Sequence, residues 1–136
     1  MRLKLNALRT AVEGKRVIMV DDSIVRGTTC GRLVKLLRDA GAAEVHMRIS
    51  APPFRHPCFF GTDIDSRENL IANKHSVEEI AEIIGVDSLG FLSTDSVVKI
   101  AENAGCGFCT GCFSGKYPID VPTEIPKDKF EMKFDE

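Results

Sequence analysis

Arg16-Val17-Ile18-Met19-Val20-Asp21-Asp22-Ser23-Ile24-Val25-Arg26-Gly27-Thr28-Thr29 is the stretch that decides the fold. Its first half is a short apolar run that stops at two acids. A continuous apolar run of this length suits a buried strand of a parallel sheet. Past the loop, residues 29–40 place Leu33, Leu36, Leu37 and Ala40 at helical spacing, and Gly41 supplies a stop. Residues 44–50 then alternate apolar and polar side chains, the period of a half-covered strand. Strand, helix and strand in this order predict a right-handed βαβ unit, hence an α/β fold with a parallel, Rossmann-like sheet.

The loop of this unit falls at the carboxyl end of the first strand, where open α/β sheets bind ligands. Asp21 and Asp22 can hold ribose hydroxyls or a magnesium ion, since Mg²⁺ takes one or two carboxylates beside substrate phosphates and water. Ser23, Thr28 and Thr29 offer hydroxyls. Gly27 admits close backbone approach, and the amides opening the helix favour an anion. The spacing therefore puts a sugar at the acids and its 5′-phosphate at the loop. An ordinary βα turn with an Asp/Ser cap is the plain alternative, and two acids, a glycine and two threonines in this order argue against it. The stretch is neither a Walker A loop nor a G-x-G-x-x-G fingerprint.

Composition narrows the class. The chain has 136 residues, 18 Lys+Arg against 20 Asp+Glu, and a formal net charge of −2, which removes a general electrostatic case for nucleic-acid binding. Its 43% apolar and 28% charged residues are near globular averages, so wholesale disorder is not expected. No apolar run approaches the roughly 18 residues of a membrane helix, and the start lacks the apolar core of a signal peptide. These features predict a soluble, cytoplasmic protein without membrane partners.

The chain has 5 cysteines, an odd number, and Cys106, Cys109 and Cys112 recur at two-residue spacing while Cys30 and Cys58 stand upstream. A secreted disulfide scaffold uses an even, dispersed set. With Cys58, the trio can supply four thiolates, suited to an iron–sulfur cluster or to zinc alike. Cys30, inside the first helix, reads as a core residue. His46 and His75 stand apart from other ligand types, whereas His56 lies two residues from Cys58 and is a candidate for contact with a bound group.

Elsewhere, Pro52, Pro53 and Pro57 make residues 51–65 a loop. Ser76-Val77-Glu78-Glu79 is a capping box opening a helix with Ile80, Ile83 and Ile84 on its apolar face, up to Gly85. Residues 89–92 read as a short strand and 95–104 as a helix stopped by Gly105. The tail, 116–136, holds Pro118, Pro122 and Pro126 among charges and is expected to be extended or disordered.

Val-Asp-Asp-Ser-Ile-Val-Arg-Gly-Thr-Thr resembles the phosphoribosyl pyrophosphate (PRPP) motif of type I phosphoribosyltransferases, in the wording of the glutamine amidophosphoribosyltransferase family. The resemblance extends to Met1-Arg-Leu-Lys-Leu-Asn6, to residues 53–63 and to Cys109-Thr-Gly-Cys-Phe-Ser-Gly-Lys-Tyr-Pro118. Four separated motifs in the family's order cover nearly all of the chain. The resemblance implies a type I phosphoribosyltransferase fold and displacement of pyrophosphate from C1 of PRPP by ammonia from glutamine. The product is 5-phosphoribosylamine, and the step is the first of purine synthesis. It implies that Asp21 and Asp22 bind ribose and Mg²⁺, and that Ser23, Ile24, Val25, Arg26, Gly27, Thr28 and Thr29 cradle the 5′-phosphate. Lys4 and Asn6 would end a mobile loop. One branch of the family carries a [4Fe-4S] cluster. Cys58, Cys109 and Cys112 match three ligands, the fourth lies upstream of this chain in the family, and Cys106 is a candidate substitute.

On this resemblance residues 1–115 correspond to the carboxyl-terminal portion of a phosphoribosyltransferase domain. The family's amino-terminal glutaminase domain, the early strands of the transferase domain and its pyrophosphate loop are not matched. Glutamine hydrolysis by the chain is not expected. A sheet without those strands exposes an edge, which predicts self-association or association with the missing portion. Two other readings follow from the same residues. One is a non-catalytic phosphoribosyl- or nucleotide-binding module, since purine nucleotides inhibit the family through the same loop. The other is a structural metal–thiolate module in which Asp21-Asp22 is incidental.

Overall fold

The computed structural model describes residues 7–62, 64 and 66–121. Lys4, Asn6 and most of the expected tail, from residue 122, lie outside the described residues. A short helix α1 (Arg9–Val12) precedes strand β1 (Arg16–Asp21), helix α2 (Thr28–Asp39) and strand β2 (Glu44–Ile49). A long irregular segment leads through a 3₁₀ turn (Arg67–Asn69) to α3 (Ile71–Lys74) and α4 (Val77–Ile84). Strand β3 (Ser88–Phe91), α5 (Thr94–Ile100) and α6 (Gly111–Ser114) complete the order.

The strands form one parallel sheet in the order β1-β2-β3. Register sorts the side chains by face, because partners in a parallel pair point the same way. Val17 and Met19 pair with Val45 and Met47, and Met47 in turn with Leu89 on β3. On that face Val45, Met47 and Ile49 are buried with Cys30 and Val34 of α2 and Ile80 and Ile84 of α4. Asp87 ties the layer together: one carboxylate oxygen accepts from the Val45 amide and from the Arg38 guanidinium, both at 2.6 Å.

The other face carries Ile18 and Val20, 66% and 71% exposed, beside His46, Arg48 and Ser88. His46 lies 2.9 Å from both the Ser88 hydroxyl and the Glu44 carboxylate. The apolar run of β1 thus departs from the expected fully buried strand: among the described residues its outer edge has no strand partner and one face no covering helix. The half-covered reading of β2 matches the structure.

The capping box at Ser76 is formed in both directions. The Glu79 amide donates to Ser76 Oγ at 3.2 Å, and the Ser76 amide donates to Glu79 Oε2 at 2.7 Å. Ile83 departs from expectation. It is 55% exposed, so Ile80 and Ile84 alone form the buried stripe. The helix expected over 95–104 starts one residue earlier, capped by Ser93, and ends at Ile100; Glu102–Ala104 is a 3₁₀ turn. Ile100 faces solvent, so packing does not hold the last turn in α geometry.

Candidate functional site

The loop after β1 treats its two acids differently. Asp21 is the last residue of the strand and lies on the helix-covered face, half-buried. Its Oδ1 accepts from the Asp22 amide at 3.0 Å, and its Oδ2 faces the Cys30 thiol at 3.9 Å. The Ser50 amide and hydroxyl both donate to the Asp21 carbonyl, at 3.0 and 3.2 Å, locking it to the end of β2. Asp22 is exposed, and the Ser23 hydroxyl donates to it at 3.4 Å. A structural acid therefore precedes a presented one.

Ile24 anchors the loop: it is 2% exposed and joins the main core. Val25 packs on a second cluster of Phe54, Ile64 and Leu70, and its carbonyl accepts from the Ile71 amide at 2.9 Å. Arg26, Thr28 and Thr29 are exposed around the rim. Gly27 is the N-cap of α2 in the left-handed region, φ 78°, and a β-carbon there would sit 2.9 Å from Ile71 Cδ1. Both conformation and space demand glycine. No side chain caps α2 and no acid stands in its first turn, so its opening amides have no capping partner, and exposed Thr28 and Thr29 stand in that turn. An uncapped twelve-residue helix start of this kind suits an anion.

Two contributors were invisible in the sequence. Ser50 offered no pattern, and Ile71 belongs to a short apolar run, Leu70-Ile71-Ala72, inside a stretch without clear periodicity. Cys30 is a core residue as expected, and it also abuts Asp21. Burial, with Asp21 second, pushes its thiol up to about 11.

The cysteines form a second locus. Cys58 and Cys112 both pack against the Phe54–Ile64–Leu70 cluster. The Cys112 carbonyl accepts from the Arg55 and His56 amides, each at 3.0 Å, and Phe54 meets Phe113 with ring centroids 5.0 Å apart. Burial raises the Cys112 thiol, the charge of Cys58 raises it further, and Cys109 adds to this, so three of the expected ligands share one electrostatic environment. Cys106 is exposed on the preceding loop. His56 sits over Gly115, and burial, then Arg67 and Arg55, hold its pKa below the usual histidine range. Thiols suit a thiolate-bound group in donor type. Among the described residues, however, no three ligand side chains are placed so as to hold a metal ion together. No described helix is long and apolar enough to cross a membrane.

A parallel sheet with an acidic, glycine-bearing loop at the carboxyl end of its edge strand is the architecture of an open α/β fold that binds ligands at that loop. The chain is homologous along nearly its whole length to one segment of the amidophosphoribosyltransferases. It is 53% identical over 133 residues to the amidophosphoribosyltransferase of Synechococcus elongatus, covering 98% of this chain and 27% of that protein. It is 55% identical over 125 residues to that of Bacillus subtilis, covering 89% and 26%. The solved B. subtilis glutamine PRPP amidotransferase complexed with ADP and GMP superposes with a TM-score of 0.81 at 54% identity, over 91% of this chain and 28% of that one. The chain thus spans about a quarter of the length of the relatives it matches. No family model matches it.

Proposed function

We propose that this chain is the ribose-phosphate-binding segment of an amidophosphoribosyltransferase, the enzyme that converts PRPP to 5-phosphoribosylamine at the start of purine synthesis. The observation that carries the reading is the uncapped start of α2, opened by left-handed Gly27 and preceded by exposed Asp22. Residues 1–115 are the transferase portion in this reading, and 116–136 a tail.

In this reading the 5′-phosphate sits on the amides of residues 27–29, with the Thr28 and Thr29 hydroxyls donating to its oxygens. Arg26 lends positive charge at the rim. Asp22 accepts from the ribose hydroxyls, while Asp21 and Ser50 hold the turn so that Asp22 points outward. Mg²⁺, when bound with PRPP, would take the presented Asp22 as its carboxylate partner, with Asp21 behind it adding negative charge, and would neutralise charge on the pyrophosphate. Departure of pyrophosphate leaves a cation-like C1, so these residues work by positioning and charge neutralisation rather than by covalent chemistry.

Cys58, Cys109 and Cys112 would hold an iron–sulfur cluster, with Cys106 as the substitute fourth ligand. Such a cluster, when bound, would cross-link the 52–60 loop to α6. A Cys106→Ser chain that reconstitutes anaerobically with unchanged iron and sulfide content would remove Cys106 from the ligand set.

Competition tests the main reading. Ribose 5-phosphate should displace a fluorescent nucleoside 5′-monophosphate from the chain where ribose alone does not, and Gly27→Ala should abolish displacement. Equal competition by ribose and by ribose 5-phosphate would overturn it. A regulatory nucleotide site on the same loop is the second reading, favoured by the ADP and GMP bound to the B. subtilis enzyme. Nucleotide binding that PRPP displaces, with no turnover of PRPP, would select it.

A further inference from the structure

We propose that Tyr117 is the clasp that assembles the thiol locus, holding the Cys58 loop against the Cys109–Cys112 turn before any metal group binds. The residue reaches both sides of the locus at once. Its hydroxyl donates to the Pro57 carbonyl at 2.7 Å, one residue before Cys58 and sixty residues away in sequence. Its ring meets Phe59 edge-on, with centroids 5.3 Å apart, and Phe60 at 6.2 Å, the two residues after Cys58. On the other side the ring covers Gly111, the neighbour of Cys112. Gly111 is buried, and a β-carbon there would overlap the Tyr117 ring.

Gly111 is thus a seat for the ring, and the sequence Cys109-Thr110-Gly111-Cys112 gains a reason for its glycine. The contacts from the 52–60 loop to α6 converge on the same purpose. The two amides donating to the Cys112 carbonyl come from Arg55 and His56, and Gly115, φ 73°, leaves room for the His56 ring 2.9 Å from where a β-carbon would stand. Tyr117 closes this set from the carboxyl-terminal side. A tyrosine suits the task because its ring fills apolar space while its hydroxyl reaches a part-buried carbonyl. Phenylalanine would keep the ring contacts and lose the hydrogen bond.

The clasp rests on the reading of Cys58, Cys109 and Cys112 as one locus, and its test is separable from the iron–sulfur reading. The probe is dibromobimane, which becomes fluorescent when two neighbouring thiols displace both of its bromides. It is applied to the metal-free full chain carrying Cys106→Ser and Cys109→Ser, leaving Cys58 and Cys112 as the accessible pair. In that background Tyr117→Ala and Gly111→Ala should slow cross-linking of Cys58 to Cys112 at least about ten-fold, with Tyr117→Phe intermediate. The chain has 1 tyrosine and no tryptophan, so the near-ultraviolet tyrosine signal reports the clasp and should collapse in Gly111→Ala. Should Tyr117→Ala lose its far-ultraviolet helix signal, Tyr117→Phe and Gly111→Ala decide. Cross-linking at the parental rate in a folded Gly111→Ala or Tyr117→Ala chain overturns the clasp. Iron and sulfide loading is measured apart on the chain with all its cysteines: fast cross-linking with no cluster leaves the clasp standing and removes the iron–sulfur reading.

Discussion

Asp21 and Asp22 are neighbours of one residue type with opposite duties. The pleat decides which does what: odd-numbered residues of β1 face the helices, so Asp21 is drawn toward Cys30 while Asp22 leaves the sheet and meets solvent. Cys30 records the cost of that arrangement in its own titration. Burial and the adjacent Asp21 raise its thiol from 9.0 to about 11. A raised folded-state pKa gives stability that is complete below the unfolded value and lost as pH climbs through the folded one. Between pH 9 and 11 the unfolded chain ionises this thiol and the folded chain resists, a difference of roughly 2 to 3 kcal/mol at 1.36 kcal/mol per unit. Denaturant midpoints measured across that range should fall less steeply for Cys30→Ala than for the parent. Parallel curves would contradict the assigned shift. Within the same residue scale, the placement of the acids, Gly27 and the threonines between a strand and a helix was legible in the sequence, because an apolar run ends at Asp21 and helical spacing begins after Gly27. Ser50 was not, because its role depends on where β2 ends in space.

At the scale of elements, local signals spoke clearly where the chain satisfies itself. The capping box at Ser76 was visible as four consecutive residues, and it is built as read. Ser76→Ala should cost about 1 kcal/mol, the typical value of a lost N-cap, read as a lowered urea midpoint with an unchanged slope. An unaltered midpoint would mean that α4 is held by Ile80 and Ile84 alone. The Asp87 clasp between α2, β2 and β3 makes an acid-side prediction. The Val45 amide first, then Arg38, hold its carboxyl below the usual aspartate range. A depressed folded pKa gives stability present above the unfolded value of 3.8 and lost as pH falls below it. Asp87→Asn should therefore lower stability near neutral pH and flatten its acid decline, and an acid limb identical to the parent's would contradict the clasp. Periodicity misled where burial is not dictated by the element itself. Ile83 and Ile100 fit apolar helical patterns but face solvent, and α3 and α6, four residues each, are too short to leave a periodic trace.

Over the described residues as a whole, one sheet face is packed and the other is bare. Ile18 and Val20 stand on the bare face, and an apolar groove of about 240 Å³ runs beside the unpaired edge of β1, lined by Val17, Met19, Leu33 and Leu36. Parallel sheets are covered on both faces in ordinary folds, so this surface is where the association expected from the sequence would form. Sedimentation velocity should show self-association that Ile18→Lys with Val20→Lys reduces. A monomer in the unmodified chain over the micromolar range would contradict it. The parallel order was legible because strand, helix and strand follow one another in sequence. The bare face was not, because an apolar run looks the same whether or not something covers it.

The central claim is that the loop between β1 and α2 is a working ribose-phosphate site. Calorimetric titration with Mg²⁺ and PRPP, done under anaerobic conditions on the unmodified chain and on Asp22→Asn, tests it most directly. The account predicts saturable binding weakened about ten-fold or more by the substitution, the size expected for one charge-assisted hydrogen bond of roughly 1.5–3 kcal/mol. Absence of saturable binding, or equal affinity in both proteins, would contradict it.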